Sequence, residues 1–397
     1  MSKIEHIIIL FRKFKSLIYY IDLYAKQSIK HVIEIKQGLY FRLWAYYLKY
    51  YDHSVILGGN VETKGGVHYH IQAIKLFSKQ RIVLVPSNLI LKTIGIHRFT
   101  SKYLKNINLK NVKVVHSHVY PWMIKWCNEQ KLNNPSIKWV HTYHAHYYPE
   151  YSDGEFLDWQ KDFNRFFLEE ASKADIKISV SKWQQKIYKE KFNINTVYMP
   201  NGVNVLQCDN VNKDDFKERN NLQNFILNVS GHDPVKNPKE FVLLAQSMPE
   251  HHFVIIGYGL TKDLFKEQYH ISTPKNLSIF GIMSQLEVQH AIAASTCLVS
   301  NSKREGLPTL VLEGMAQSKP VVVSNEPGSM EAIGHGKYGY FYELGNIQDL
   351  KYQTLLALKD DVKPVKARQR VLEEYDWRVV IKKLDKLYND LKTFNSL

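Results

Sequence analysis

The chain has 397 residues, which is too long for one ordinary hydrophobic core and typical of two domains of similar size. With 45% hydrophobic and 23% charged residues it has the composition of a soluble globular protein, and no apolar run is long enough for a transmembrane helix. The short apolar run near the N-terminus lacks a small-residue cleavage site, so we predict no signal peptide. The formal net charge of +15 favours an anionic partner without choosing among nucleic acid, anionic lipid and a phosphorylated substrate.

The three cysteines, Cys127, Cys208 and Cys297, lie far apart in the sequence and match no metal-binding spacing. We therefore expect reduced and mostly buried thiols in a cytoplasmic protein.

Residues 1–50 combine an excess of basic side chains with many aromatic ones, and they contain one glycine and no proline. This composition predicts one or two amphipathic helices that extend the fold at its N-terminus. Such helices can lie on an anionic membrane surface or pack on the body of the protein, and the sequence leaves both interpretations open. On the first interpretation the protein would be peripheral on the inner face of the cell membrane.

Beyond this extension, short β-branched runs alternate with longer helical stretches, which is the pattern of βαβ units in a parallel sheet. The first series of predicted strands comprises residues 54–57, 82–85, 112–116, 138–143, 176–180 and 196–199. After a break at Pro200-Asn-Gly202 and a polar stretch, the second series comprises residues 225–229, 252–256, 277–280, 296–300 and 320–324.

We therefore predict two consecutive α/β domains that face each other across a cleft. The N-terminal domain is predicted at residues 51–205 and the C-terminal domain at residues 206–375. The last segment, 376–397, has an amphipathic pattern in most of its length, and we expect it to form a helix that packs back on the N-terminal domain.

The most informative segment runs from Glu305 to Glu313 and reads E-G-L-P-T-L-V-L-E. It follows a predicted strand, and Pro308 stands where a helix begins, a position that proline tolerates. In open α/β sheets, ligands bind at the carboxyl ends of strands and against helix N-termini. Two carboxylates at this place are suited to accepting hydrogen bonds from vicinal hydroxyl groups.

This segment resembles the E-x7-E motif of the retaining glycosyltransferases of family 4 (GT4), which have the two-domain GT-B fold. Other segments resemble that family in the same order along the chain, from about residue 53 to the end. They are Lys64-Gly-Gly-Val67, Val114-Val-His-Ser-His118, Thr142-Tyr-His144, Ile178-Ser-Val-Ser181, Pro200-Asn-Gly-Val203, Ser230 to Asn237, Pro320-Val-Val322, Gly336 to Gly339 and Tyr375-Asp-Trp377. Any one of these segments is a weak signal, whereas the ordered set is specific.

The resemblance implies roles for individual residues. Glu313 would hydrogen-bond the ribose of a nucleotide, Glu305 would contact the transferred sugar, and Lys236 would neutralise the departing diphosphate. His144 would lie near the reacting sugar. Gly65 and Gly66 would let the backbone approach donor and acceptor closely. Backbone N–H groups of the donor-binding segment Leu307, Pro308, Thr309 and Leu310 would hold sugar and phosphate oxygens, although Pro308 itself has no N–H.

The sequence departs from the family at Gly231, which stands where an arginine is usual five positions before the lysine. We expect the missing charge to come from Lys239, Lys303, Arg304 or His232, or the donor to be held less tightly. A further alternative is a degenerate, inactive homologue, which the presence of Lys236 and both glutamates disfavours. Gly231 itself is predicted as a donor-binding position.

No Asp-x-Asp sequence occurs, so a metal-bridged diphosphate is not indicated. His141, His144 and His146 invite a metal interpretation, but no carboxylate follows at hydrolase spacing, and His141 and His144 are expected to point in different directions. Gly257-Tyr-Gly259 lacks the third glycine of a dinucleotide fingerprint. We predict no metal site and no cofactor besides the nucleotide-sugar substrate.

The predicted activity is that of a retaining hexosyltransferase, which moves a sugar from a nucleotide-diphosphate sugar to a hydroxyl acceptor in cell-surface glycan, polysaccharide or glycolipid synthesis. The family suggests front-face attack, in which the departing phosphate helps to deprotonate the acceptor. Two alternatives remain open: a UDP-sugar 2-epimerase of the same fold, which lacks this E-x7-E loop, and a basic nucleic-acid-binding protein, for which no recognisable module is present.

Overall fold

The computed structural model describes residues 54–58, 65–84, 109, 111–144 and 158–393. The helical extension predicted for residues 1–50 lies outside these residues, as does His146. Within the described part, two parallel six-stranded sheets with intervening helices form two Rossmann-like domains, which confirms the predicted fold class.

The first sheet has the strand order β2-β1-β3-β4-β5-β6. Its strands are β1 (Val55–Leu57), β2 (Ile82–Leu84), β3 (Val114–Ser117), β4 (Lys138–Tyr143), β5 (Ile176–Ser179) and β6 (Val197–Tyr198). The helices are α1 (Gly66–Phe77), α2 (Pro121–Asn133), α3 (Asp158–Glu169) and α4 (Lys182–Phe192), with a 3-10 turn at Ala171–Lys173. All six strands lie within about two residues of their predicted positions.

The second sheet has the order β12-β11-β10-β7-β8-β9. Its strands are β7 (Phe225–Val229), β8 (His252–Ile256), β9 (Leu277–Phe280), β10 (Cys297–Ser300), β11 (Val321–Ser324) and β12 (Tyr340–Tyr342). The helices are α5 (Val205–Asp209), α6 (Lys213–Asn220), α7 (Pro238–Ser247), α8 (Lys262–Glu267), α9 (Gln285–Ala294), α10 (Thr309–Ala316), α11 (Pro327–Ala332), α12 (Ile347–Ala357) and α13 (Val362–Arg370), with a 3-10 turn at Pro234–Lys236 and a π-helical turn at Val371–Tyr375. The edge strand β12 was not predicted, because its three residues carry no alternating pattern.

The strands read as continuous apolar runs because helices cover both faces of each sheet. Every residue of β1, β10 and β11 is buried, and the two faces of the second sheet belong to two separate hydrophobic clusters. The three cysteines are free and buried, as expected from their isolated positions.

The final helix, α14 (Trp377–Thr393), leaves the second domain and packs on the first. Its apolar face joins a cluster with α1 and the first sheet, to which Trp377, Ile381 and Leu384 contribute. The crossing is fixed by backbone hydrogen bonds between Val203 and the segment that ends at Trp377. Among the helices of the described residues, none has the length and apolar character needed to span a membrane.

Candidate active site

A cavity of about 270 Å³ lies between the two domains, where the carboxyl ends of strands from both sheets meet. It is lined from the first domain by Gly66, Val67, His144 and Asn201, and from the second by Asn228, Val229, Ser230, Lys236, Ser300, Asn301, Ser302, Glu305, Gly306, Leu307, Pro308, Thr309 and Leu310. Most of the predicted site residues therefore meet around one cavity.

The loop after β10 is seated directly against the first domain. The indole Nε1 of Trp183 donates to the Gly306 carbonyl oxygen at 2.7 Å, and the Gln184 side chain donates to the His144 carbonyl oxygen at 3.1 Å. A Cβ atom on Gly306 would lie 2.1 Å from the His144 carbonyl oxygen. The glycine of the E-G-L-P sequence is thus required because two backbones approach each other here.

Glu305 and Lys236 form an ion pair within the cavity, with 2.6 Å between Lys236 Nζ and Glu305 Oε1. Burial alone would lower the pKa of Lys236, but the carboxylates of Glu305, Asp233 and Glu326 raise it above its ordinary value. The lysine is therefore charged at neutral pH. Because 40% of its side chain is exposed, a ligand can still reach it from the cavity.

Glu326 holds the backbone of this loop in place. It caps the N-terminus of α11 by accepting hydrogen bonds from the backbone N–H groups of Gly328 and Ser329, and it also accepts one from the N–H of Glu305 at 3.1 Å. Burial, together with the neighbouring Glu305 charge, raises the pKa of Glu326 to about 7. Glu326 was not predicted from the sequence, because a glutamate before Pro327 has the pattern of an ordinary helix cap.

His144 is half-buried and lies with two buried imidazoles at the floor of the cavity. Its Nε2 atom lies 2.9 Å from Nδ1 of His118, and its ring packs edge-on against the ring of His70. Burial lowers the pKa of His144 and His118 well below the ordinary value, and lowers that of His70 to about 4. All three rings are therefore neutral at pH 7.

Glu313 lies apart from Glu305, in a second cavity of about 240 Å³ that shares Gly66 and Thr309 with the first. The second cavity is also lined by Tyr69, His70, Gln285 and Trp377, among others. Burial raises the pKa of Glu313 to about 7, while hydrogen bonds from Gln285 and Gln289 oppose this shift. The two glutamates of the motif therefore face adjacent spaces rather than the same one.

The glycines that were predicted to bind the donor have different positions. Gly66 begins α1 and lines both cavities, whereas Gly65 is the preceding N-cap with a φ of 125°, which favours glycine. Gly231 is not among the lining residues; its neighbour Ser230 is. The role of Gly231 in donor binding stays a prediction.

Lys236 is the one lysine or arginine among the described residues that line the first cavity. The four cations that were considered as substitutes for the missing arginine, Lys239, Lys303, Arg304 and His232, do not line it. Arg304 is 9% exposed, and His232 packs on the ring of Tyr258.

Several lining residues were not identified from the sequence. Asn228 is buried at the end of β7 and donates to the Val299 carbonyl oxygen at 2.9 Å, while Ser230 donates to Asn228 Oδ1 at 2.7 Å. Asn201 donates to the Leu307 carbonyl oxygen across the domain boundary at 2.9 Å. One available signal was a polar residue inside the otherwise apolar run of β7.

Comparisons with known proteins agree with this architecture. The family model described as "Glycosyltransferase Family 4" matches residues 62–206, and the model "Glycosyl transferases group 1" matches residues 210–376. A UDP-Gal:alpha-D-GlcNAc-diphosphoundecaprenol alpha-1,3-galactosyltransferase of Escherichia coli is 26% identical over 220 residues, which is 51% of this chain and 55% of the relative. The chain thus matches about half the length of that protein. An uncharacterized glycosyltransferase of Methanocaldococcus jannaschii is 26% identical over 72% of this chain and 77% of the relative.

Solved structures share the fold at low sequence identity. A sucrose-phosphate synthase from Thermosynechococcus elongatus superposes with a TM-score of 0.70 at 15% identity, over 86% of this chain and 100% of that one. Anabaena Alr3699/HepE, solved in complex with UDP and glucose, superposes with a TM-score of 0.69 at 15% identity, over 87% of this chain and 100% of that one. Since the two family models together span both domains and the fold agrees, the chain belongs to glycosyltransferase family 4 and has the GT-B fold.

Proposed function

We propose that this protein is a retaining glycosyltransferase, which moves a sugar from a nucleotide-diphosphate sugar to a hydroxyl acceptor in the synthesis of a glycan, polysaccharide or glycolipid. The observation that carries the proposal is the Lys236–Glu305 pair, which lies in the interdomain cavity with His144 on the opposite wall. This arrangement joins a cation for phosphate, a carboxylate for sugar hydroxyls and a neutral imidazole.

The diphosphate of the donor would lie between Lys236 and the first turn of α10. Pro308, the N-cap of α10, provides no side-chain hydrogen bond to the helix, so a ligand is the natural partner for N–H groups of that turn. Thr309 and Leu310 line the cavity at this helix end. Because Lys236 supplies the positive charge, we propose that transfer requires no metal ion.

The nucleoside would extend into the second cavity. Glu313 lines that cavity and is suited to accept hydrogen bonds from the two ribose hydroxyls. The shared lining residues Gly66 and Thr309 join the sugar and nucleoside spaces, so one extended ligand can occupy both. This assignment supports separate roles for the two glutamates of the motif.

In the proposed reaction, the bond between the anomeric carbon and the phosphate oxygen breaks while the acceptor oxygen bonds to that carbon from the same face. The acceptor proton passes to an oxygen of the departing phosphate. Charge develops on the diphosphate as the bond breaks, and Lys236 stabilises it. Glu305 is paired with Lys236 and orients the sugar, which argues against a role as a free nucleophile.

The acceptor is proposed to be lipid-linked. The relatives of Escherichia coli and Campylobacter jejuni carry diphospho-undecaprenol in their names, and this chain has a basic, aromatic segment at residues 1–50. We propose that this segment holds the enzyme peripherally on an anionic membrane face. Deletion of residues 1–50 should release the protein from anionic vesicles, and equal binding by the truncated protein would contradict this part.

The donor test uses the full chain with a panel of UDP-, GDP- and ADP-sugars. We expect one nucleotide class to be hydrolysed slowly and the matching nucleoside diphosphate to raise the melting temperature. Random oligonucleotides serve as the comparison. No stabilisation by any nucleoside diphosphate, together with strongly salt-dependent oligonucleotide binding, would favour a nucleic-acid-binding protein instead.

A further inference from the structure

Three histidines from three different elements converge at the floor of the cleft. His70 lies on α1, His118 follows β3, and His144 follows β4. One ring nitrogen from each of them lies within 4.8 Å of the other two. His70 and His118 are buried, while His144 faces the first cavity.

We propose that His70, His118 and His144 form a binding site for one divalent transition-metal ion, such as Zn²⁺. Three imidazoles with a fourth position open to water are a common zinc environment, with Zn–N distances of about 2.0–2.1 Å. His118 Nδ1 and His144 Nε2 are 2.9 Å apart, and a tetrahedral angle at zinc would place two nitrogens about 3.4 Å apart. The candidate nitrogens already lie within 4.8 Å of one another, so they are near the separation that one zinc ion requires.

The hydrogen bonds around His70 already select the ring nitrogen that would bind the metal. Asn201 donates its Nδ2 to the Leu307 carbonyl oxygen, so its Oδ1 accepts from Nδ1 of His70 at 3.1 Å. The Nδ1 atom of His70 therefore carries the proton, and Nε2 keeps its lone pair. Metal-binding histidines usually donate their second nitrogen to an oxygen in this manner.

His118 provides an independent sign that the group is not a purely structural one. Its Nε2 atom is buried and has no hydrogen-bond partner, which is uncommon for a buried polar atom. The adjacent His116 is different: its two ring nitrogens bond to the Tyr388 hydroxyl at 2.6 Å and to Thr142 Oγ1 at 2.8 Å. His116 is thus satisfied by protein groups, whereas the ring of His118 contacts His144 through Nδ1 and has no protein partner at Nε2.

The consequence for activity rests on the proposed function. A metal ion bound here would occupy His144 and hold it away from the donor sugar. Because Lys236 supplies the charge for the diphosphate, the metal adds nothing that transfer requires. We therefore expect Zn²⁺ to inhibit transfer and a chelator to restore it.

The test measures binding of Zn²⁺ and Co²⁺ to the metal-free full chain by equilibrium dialysis and by the visible absorption of Co²⁺. The variants are His118→Gln and His70→Gln; the second guards against failure of the first to fold. His251→Gln is the matched control, since His251 is a partly exposed histidine beside Glu250. X-ray absorption at the zinc edge identifies the type of the coordinating atoms and measures their distances from zinc.

We expect one ion per chain, bound by imidazole nitrogens at about 2.0 Å, and affinity about 100-fold lower in folded His118→Gln and His70→Gln. His251→Gln should bind Zn²⁺ like the unmodified chain. In His70→Gln, added Zn²⁺ should leave the transfer rate equal to the rate that this variant shows without metal. Absent binding, or binding unaffected by both variants, would overturn the site. Metal binding as expected, without any turnover of nucleotide sugars, would contradict the proposed function but not the metal site.

Discussion

Replacement of Lys236 by methionine separates the catalytic role of this residue from any structural one. The Lys236–Glu305 ion pair is short, at 2.6 Å, but the lysine side chain is 40% exposed. Solvent screens such a pair, so it contributes about 1 kcal/mol or less to folding. Lys236→Met should therefore leave the free energy of unfolding nearly unchanged.

The expected effect on transfer is much larger. A cation about 4 Å from the charge that develops on the leaving diphosphate contributes about 4 kcal/mol at an effective dielectric constant of about 20. Since each 1.36 kcal/mol of barrier is tenfold in rate, Lys236→Met should lower kcat/KM by about a thousandfold. No second lysine or arginine lines this cavity among the described residues, so compensation is not expected.

The assay is steady-state transfer with the donor identified in the panel, beside urea unfolding of the same preparations. Lys239→Met is the matched control, because Lys239 is exposed on α7, three residues away, and does not line the cavity. Near-normal kcat/KM in folded Lys236→Met, or an equal loss in Lys239→Met, would refute the claim that Lys236 stabilises the departing diphosphate.

Three further predictions concern the carboxylates around the site. Glu326→Ala should lower the free energy of unfolding by roughly 2–4 kcal/mol, because the N–H of Glu305 and the first N–H groups of α11 lose their acceptor. A urea unfolding curve that matches that of the unmodified chain would contradict this prediction. Because the folded-state pKa of Glu326 is raised to about 7, the pH-dependent part of its contribution to stability is complete below about pH 4.5 and is lost as the pH rises to 7. Glu326→Gln should flatten this decline, and an unchanged slope would contradict the raised pKa of Glu326. Glu331 accepts hydrogen bonds across the domain boundary from the N–H groups of Lys182 and Trp183, both at 2.8 Å. Glu331→Ala should therefore lower kcat/KM about tenfold or more, while the affinity for the nucleoside diphosphate changes less. Equal losses of kcat/KM and of this affinity would indicate that Glu331 binds the nucleotide instead.

The sequence was sufficient to predict eleven of the twelve strands that the structure describes, because each depends on a local pattern. Strand β4 and the five predicted strands of the second sheet agree with prediction to within one residue at each end, since buried parallel strands are continuous apolar runs. Glu305, Lys236 and His144 meet because each follows a strand, and the carboxyl ends of parallel strands lie at one edge.

What the sequence did not predict depends on contacts between distant segments. The second cavity around Glu313 exists because α1 of the first domain lies opposite α10 of the second. The hydrogen bond from the N–H of Glu305 to Glu326 connects residues 21 positions apart in the sequence. The cluster of His70, His118 and His144 brings together residues from three elements. No periodicity records such contacts, because they arise from tertiary packing.

The most direct test of the account compares the rate of sugar transfer by Glu305→Gln with that of the unmodified chain. Glu305 is 17% exposed within the cavity, and Glu343→Gln, on an exposed loop that lines neither cavity, is the control. We expect Glu305→Gln to reduce transfer by about 100-fold or more while the protein stays folded, and Glu343→Gln to transfer normally. Near-normal transfer by folded Glu305→Gln would contradict the claim that this cavity is where the sugar is transferred.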